Sequence, residues 1–114
     1  MKIEHLEYTI EFLPIGNEVQ LSIITKRNFS NFSYDIVVAK KQTSKSLEYT
    51  LKGLIINSSL QNPDGPAKYI DTIEVDVDKS SLVLLKSKNF QIECKLINAN
   101  GQLTVQHLQT IDEK

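Results

Sequence analysis

Leu6, Tyr8, Ile10 and Phe12 alternate with Glu7, Thr9 and Glu11, and the same period of two recurs along most of the chain. Successive side chains of an extended segment point to opposite faces, so this pattern predicts strands buried on one side only. Clusters of Gly, Pro, Asn, Asp and Ser interrupt it and mark turns. Together they predict about eight strands. The first covers residues 3–13 and turns at Pro14-Ile15-Gly16-Asn17; the second covers 19–26, with Val19, Leu21 and Ile23 inward. The third carries Phe32, Tyr34, Ile36 and Val38, and the fourth carries Leu47, Tyr49, Leu51, Gly53 and Ile55. The fifth covers 69–77, with Ile73, Val75 and Val77 inward; the rest lie near 82–85, 90–97 and 103–108. A glycine inside a strand, here Gly53, predicts a bulge. Asn100-Gly101 predicts a hairpin, because both central residues of that turn take positive φ.

One connection is long. Residues 57–68 contain the tight-turn sequence Pro63-Asp64-Gly65-Pro66 and exceed what a hairpin needs. Short strands with one crossover predict an all-β fold, a two-sheet antiparallel β-sandwich with immunoglobulin-like or related Greek-key topology. The 114 residues fit a single domain, 1–114, large enough to bury a core without disulfides. Cys94 is the only cysteine and there is no tryptophan, which excludes the disulfide-pinned antibody type of domain. Cys94 follows Phe90 and Ile92 on an apolar face and reads as a small buried hydrophobe.

Charge and chemistry narrow the function mainly by exclusion. A net charge of −1 creates no field toward nucleic acid or an anionic membrane, so neither is expected as a partner. The chain shows no apolar run of membrane-spanning length, and its first residues lack the apolar core of a signal peptide. The expectation is a cytoplasmic protein, or a secreted one that has lost its leader. His5 falls on a polar face and His107 on an apolar one, with no Cys or His pair at metal-ligand spacing. Glu74, Asp76 and Asp78 alternate ~7 Å apart along a strand, which reads as a solvated face and not a calcium site. No Gly-x-Ser-x-Gly elbow or glycine-rich phosphate loop occurs, so neither an enzyme nor a bound cofactor is expected. The sequons at Asn28, Asn31 and Asn57 read as coincidence in a chain rich in Asn and Ser.

One surface is localised by parity. If consecutive strands run in opposite directions, alternate connections share one end of the fold, together with both termini. That end gathers Lys26, Arg27 and Phe29, then Asn62 and Asp64 of the long connection, then Lys86 and Lys88. Loops on a rigid sandwich end are a recurrent binding surface. Several segments are also apolar on both faces: Ile23-Ile24, Val37-Val38-Ala39, Leu54-Ile55-Ile56, residues 82–85 and Leu96-Ile97. That excess predicts docking on another protein or self-association into a homo-oligomer. The expectation is therefore a non-enzymatic interaction domain. The alternatives are a structural subunit of a viral or appendage-type assembly, and a carbohydrate-binding module, which the lack of tryptophan weakens.

Overall fold

The alternating segments form strands throughout. The computed structural model describes residues 1–29, 33–57 and 65–112. In it β1 (Lys2–Glu4), β2 (Tyr8–Ile15), β3 (Glu18–Phe29), β4 (Ser33–Gln42) and β5 (Ser46–Asn57) are followed by β6 (Gly65–Glu74), β7 (Ser80–Lys86), β8 (Phe90–Ala99) and β9 (Gln102–Asp112). Phe32, expected on the third strand, lies outside the described residues, as do 58–64 of the long connection.

All nine strands belong to one sheet, in the order β1-β2-β3-β6-β4-β5-β7-β8-β9. This corrects the expected two-sheet antiparallel sandwich, and with it the immunoglobulin-like topology. Two neighbouring pairs, β4 with β6 and β5 with β7, are parallel, and the rest are antiparallel. The physical reason is that period-two burial demands one dry face and says nothing about how that face is covered. Here the sheet covers itself. It twists and curls into a half-barrel, and register shifts after Ile24, at Val37 and at Glu93 add local bending. The edges meet where His5 Nε2 lies 3.0 Å from Asp112 Oδ1 and the His5 ring stacks 4.1 Å from Phe90.

The concave face is the core. Ile10, Phe12, Val19, Leu21, Ile23, Tyr49, Val83, Leu85, Phe90, Ile92, Cys94 and Leu96 are all fully or almost fully buried there. Each large aliphatic side chain so buried stabilises the fold by ~1.5–3 kcal/mol. Gly53 sits at φ 138° beside the register shift at Val37, so the expected bulge is present. Asn100 and Gly101 both take positive φ, as their turn requires. Pro14 is tolerated in β2 because β1 covers only the earlier part of that strand, leaving its missing N–H on an open edge.

The first expected strand is two. A turn at His5, Leu6 and Glu7 folds β1 back onto β2, and Leu6 is 91% exposed where the alternation had put it inward. The hairpin also moves Met1 to the far end of the sheet, where its carbonyl accepts from Phe12 N. Val77 is likewise exposed, since β6 stops at Glu74.

After β6 the chain leaves the sheet and crosses to β8, closing one end of the half-barrel. Val75 N donates to Asn17 O, Asp78 N donates to Asn98 O, and Asn98 N donates to Lys79 O. The buried Asn98 side chain is the clasp: its Nδ2 donates to Val75 O at 2.7 Å and to Asn17 Oδ1 at 3.4 Å. Its Oδ1 has no partner among the described residues, which subtracts from what those bonds contribute. Asn98→Ala is expected to lower unfolding stability by about 1–2 kcal/mol, read from the urea midpoint at unchanged slope. An unchanged midpoint would mean that the crossing segment is held by its backbone bonds alone.

Candidate functional site

The opposite end is open. There the β1–β2 turn, the end of β3, the beginnings of β4 and β6, the end of β5, and the β7–β8 turn come together. A cleft of ≈ 360 Å³ opens between Leu6, Glu7, Tyr8, Thr25, Lys26, Arg27, Phe29 and Leu54. Thr25 sets its floor. The buried hydroxyl accepts from Ala67 N at 2.9 Å and donates to Arg27 O at 2.9 Å, bridging the bulge that follows Ile24. Thr25 thereby replaces ladder bonds that the bulge removes, and aims Lys26 and Arg27 outward.

The expected binding residues separate into groups. Lys26, Arg27 and Phe29 come together at the cleft. Lys26 Nζ lies 2.9 Å from Glu4 Oε2, and that hydrogen bond holds the Glu4 carboxyl below its usual range. The Arg27 guanidinium lies 5.2 Å over the Phe29 ring, and Phe29 packs 4.6 Å from Tyr34. Lys88 belongs to the β7–β8 turn at the same end, where Asn89 Nδ2 donates to Glu7 Oε1 at 3.4 Å. Lys86 sits on the outer face and pairs with Glu48 Oε1 at 3.0 Å. Asn62 and Asp64 lie outside the described residues.

The doubly apolar segments fall into two sets. Leu82, Leu84 and Ile97 are half-buried. In β4 and β5, Val38 is half-buried against the core, while Val37, Leu54, Ile55 and Ile56 stay in water. Register places Ile24, Lys68, Asp35 and Ile55 in one row across the convex face, and Ile70 beside Val37 in the next. Ile55 is 57% exposed and Ile70 56%, with Val37 also exposed. Leu54 and Ile56, on the other face of the same hairpin, are exposed as well. An apolar cluster on both faces of one hairpin is more than scattered surface hydrophobics account for.

A polar cluster inside the sheet was not legible beforehand. β4 and β6 share a single ladder bridge, Asp35 with Lys68, and side chains reinforce this seam. Asp71 of β6 sits on the inner face opposite Leu21. Its Oδ2 accepts from Tyr49 Oη at 2.7 Å and from Lys40 Nζ at 2.8 Å. Partial burial by itself would raise the Asp71 carboxyl, but the bonds from Lys40 and Tyr49 outweigh it and hold the group below its ordinary value. Burial, then the Asp71 bond, raises the Tyr49 phenol far out of the physiological range. A clue lay in parity, since Asp71 stands between Tyr69 and Ile73 at an inward position.

Other chemistry-bearing groups stand apart. Cys94 is buried, which pushes its thiol up to about 12. His107 is exposed on β9, 2.8 Å from Thr110 Oγ1. Among the described residues no group of three or more His, Cys, Asp and Glu could hold a metal ion. Glu74, Asp76 and Asp78 are exposed, and Asp78 is engaged in accepting from Asn100 N.

Fold and site together define an all-β half-barrel of one mixed sheet, closed at one end and open at an apolar cleft with a basic rim. No protein-family model, curated protein or solved structure matches the chain.

The Asp71 cluster makes the seam pH-sensitive. A carboxyl lowered on folding contributes stability that is present above its unfolded pKa, about 3.9, and is lost as pH falls through the folded value. Wild type is expected to exceed Asp71→Asn by about 1–2 kcal/mol at neutral pH, with the gap narrowing as the carboxyl protonates below about pH 4. Urea unfolding of both proteins across that range tests this, and a gap independent of pH would remove the charge from the explanation.

Proposed function

We propose that this protein is a non-enzymatic interaction domain, which presents its open end and the adjoining β4–β5 hairpin to another protein. One observation carries the reading: Val37, Leu54, Ile55, Ile56 and Ile70 are all exposed within one stretch of sheet. Leaving such side chains in water forgoes ~25 cal/mol for each Å² of apolar surface, and a covering partner recovers that. Burial of the only thiol and engagement of Asp71, Lys40 and Tyr49 with each other also favour binding over catalysis.

The structural-subunit reading has its own support in β9. Among the described residues that strand pairs with β8 alone, and it carries no Lys, Arg, Asp or Glu from Gln102 to Ile111. Edge strands of proteins that remain single usually carry charge or proline against such pairing. The bulge between Glu93 and Cys94 counts against it, because it bends the same edge.

Light scattering across a wide concentration range separates these readings. The expected result is weak self-association, with a Kd on the order of 10⁻⁴ M, abolished by Val37→Glu with Ile70→Glu. Association removed instead by Gln106→Lys would favour the subunit reading. If neither mass nor solubility responds to Val37→Glu with Ile70→Glu, the exposed cluster is ordinary surface and the interaction reading falls.

A further inference from the structure

The β4–β5 hairpin extends past its neighbour. On the β7 side, β5 is paired only from Ser46 to Thr50, because β7 ends at Lys86 opposite Thr50. Among the described residues, 51 and 53–57 of β5 have a ladder partner on the β4 side alone, and Lys52 is the extra residue of the bulge. That leaves, among the described residues, a row of backbone N–H and C=O groups without a ladder partner in the middle of the strand order, facing a slot above the end of β7. It is flanked by apolar side chains on both faces: Leu54 and Ile56 on the concave side, Ile55 on the convex side. The concave flank continues into the cleft through Leu54, Leu6, Tyr8 and Phe29.

The base of the slot is basic. Lys52 is exposed at the bulge two residues past Thr50, Lys86 is the register partner of Thr50, and Lys88 lies in the turn above β7. Lys86 is neutralised by Glu48, whereas Lys52 and Lys88 have no ion pair among the described residues. An open edge demands an extended backbone, flanks of this kind demand apolar side chains, and the lysines demand acid at one end.

Building on the interaction reading, we propose that β5 receives an added β-strand from another protein: an extended apolar segment, antiparallel to β5, whose C-terminal end is acidic. Antiparallel entry runs the segment from Asn57 down toward Thr50, which brings its last residues to Lys52 and Lys88. The edge ladder supplies affinity, and the apolar flanks with the basic base supply register.

The fluorescein-labelled peptide Ser-Val-Thr-Val-Ile-Val-Glu-Asp tests this by anisotropy against the full chain. Saturable binding is expected, weakened about ten-fold or more by a central proline, by Lys-Lys in place of Glu-Asp, or by Ile55→Lys. Lys52→Glu, on an exposed side chain, is expected to weaken the acidic peptide and to improve the lysine-ended one. Hydrogen exchange is expected to slow in residues 54–57 when the peptide binds. Equal affinity for the proline peptide, protection on β9 in place of β5, or no saturation by ~1 mM would overturn the proposal. So would protection of 54–57 that rises with protein concentration without peptide, since a second copy would then be the occupant. If the peptide fails while Val37→Glu with Ile70→Glu still abolishes association, the interaction reading stands and only the added strand is lost.

Discussion

Burial of a single apolar face governs this molecule. Among the described residues, nine strands in one continuous ladder bury their core side chains on one side, and no second sheet or helix lies against them. The sheet must therefore close on itself, and its twist, sharpened by bulges, lets it do so. Contacts at the two edges follow from that closure. Phe90 at the start of β8 reaches the rings of His5 and Tyr8 only because the two flanks of the sheet have come round to meet.

Curling leaves two ends to be treated, and the chain treats them differently. At one end the segment after β6 crosses beneath the core and is clasped by Asn98. At the other, Thr25 repairs the ladder at a bulge, and the sheet opens into a cleft lined by Tyr8, Phe29 and Leu54. The lengths of the strands reinforce this asymmetry. β5 extends from Ser46 to Asn57 while its neighbour β7 stops at Lys86, so half of a central strand behaves as an edge.

Insertion of β6 between β3 and β4 creates the weakest join in the sheet, one parallel bridge at Asp35 and Lys68. Asp71, Lys40 and Tyr49 reinforce that join with side chains in place of ladder bonds. A charged group on the inner face is tolerated because two donors satisfy it, one of them cationic. Backbone that two strands do not share is thus replaced by a polar staple, which ties the structural role of these residues to the topology.

Period-two alternation was enough to predict an all-β chain, most strand bodies, the bulge at Gly53 and the turn at Asn100-Gly101, because each depends on neighbours in sequence. It also brought Lys26, Arg27, Phe29 and Lys88 to one end, since strand direction follows from counting turns. It misassigned Leu6, because alternation runs unbroken through the turn at residues 5–7 and carries no mark of the reversal. One sheet or two, the parallel pairs, the Asp71 staple and the open edge of β5 were decided only by tertiary structure. Each depends on which strands become neighbours across the ladder, and a local pattern that requires only one dry face is satisfied equally well by many such orders.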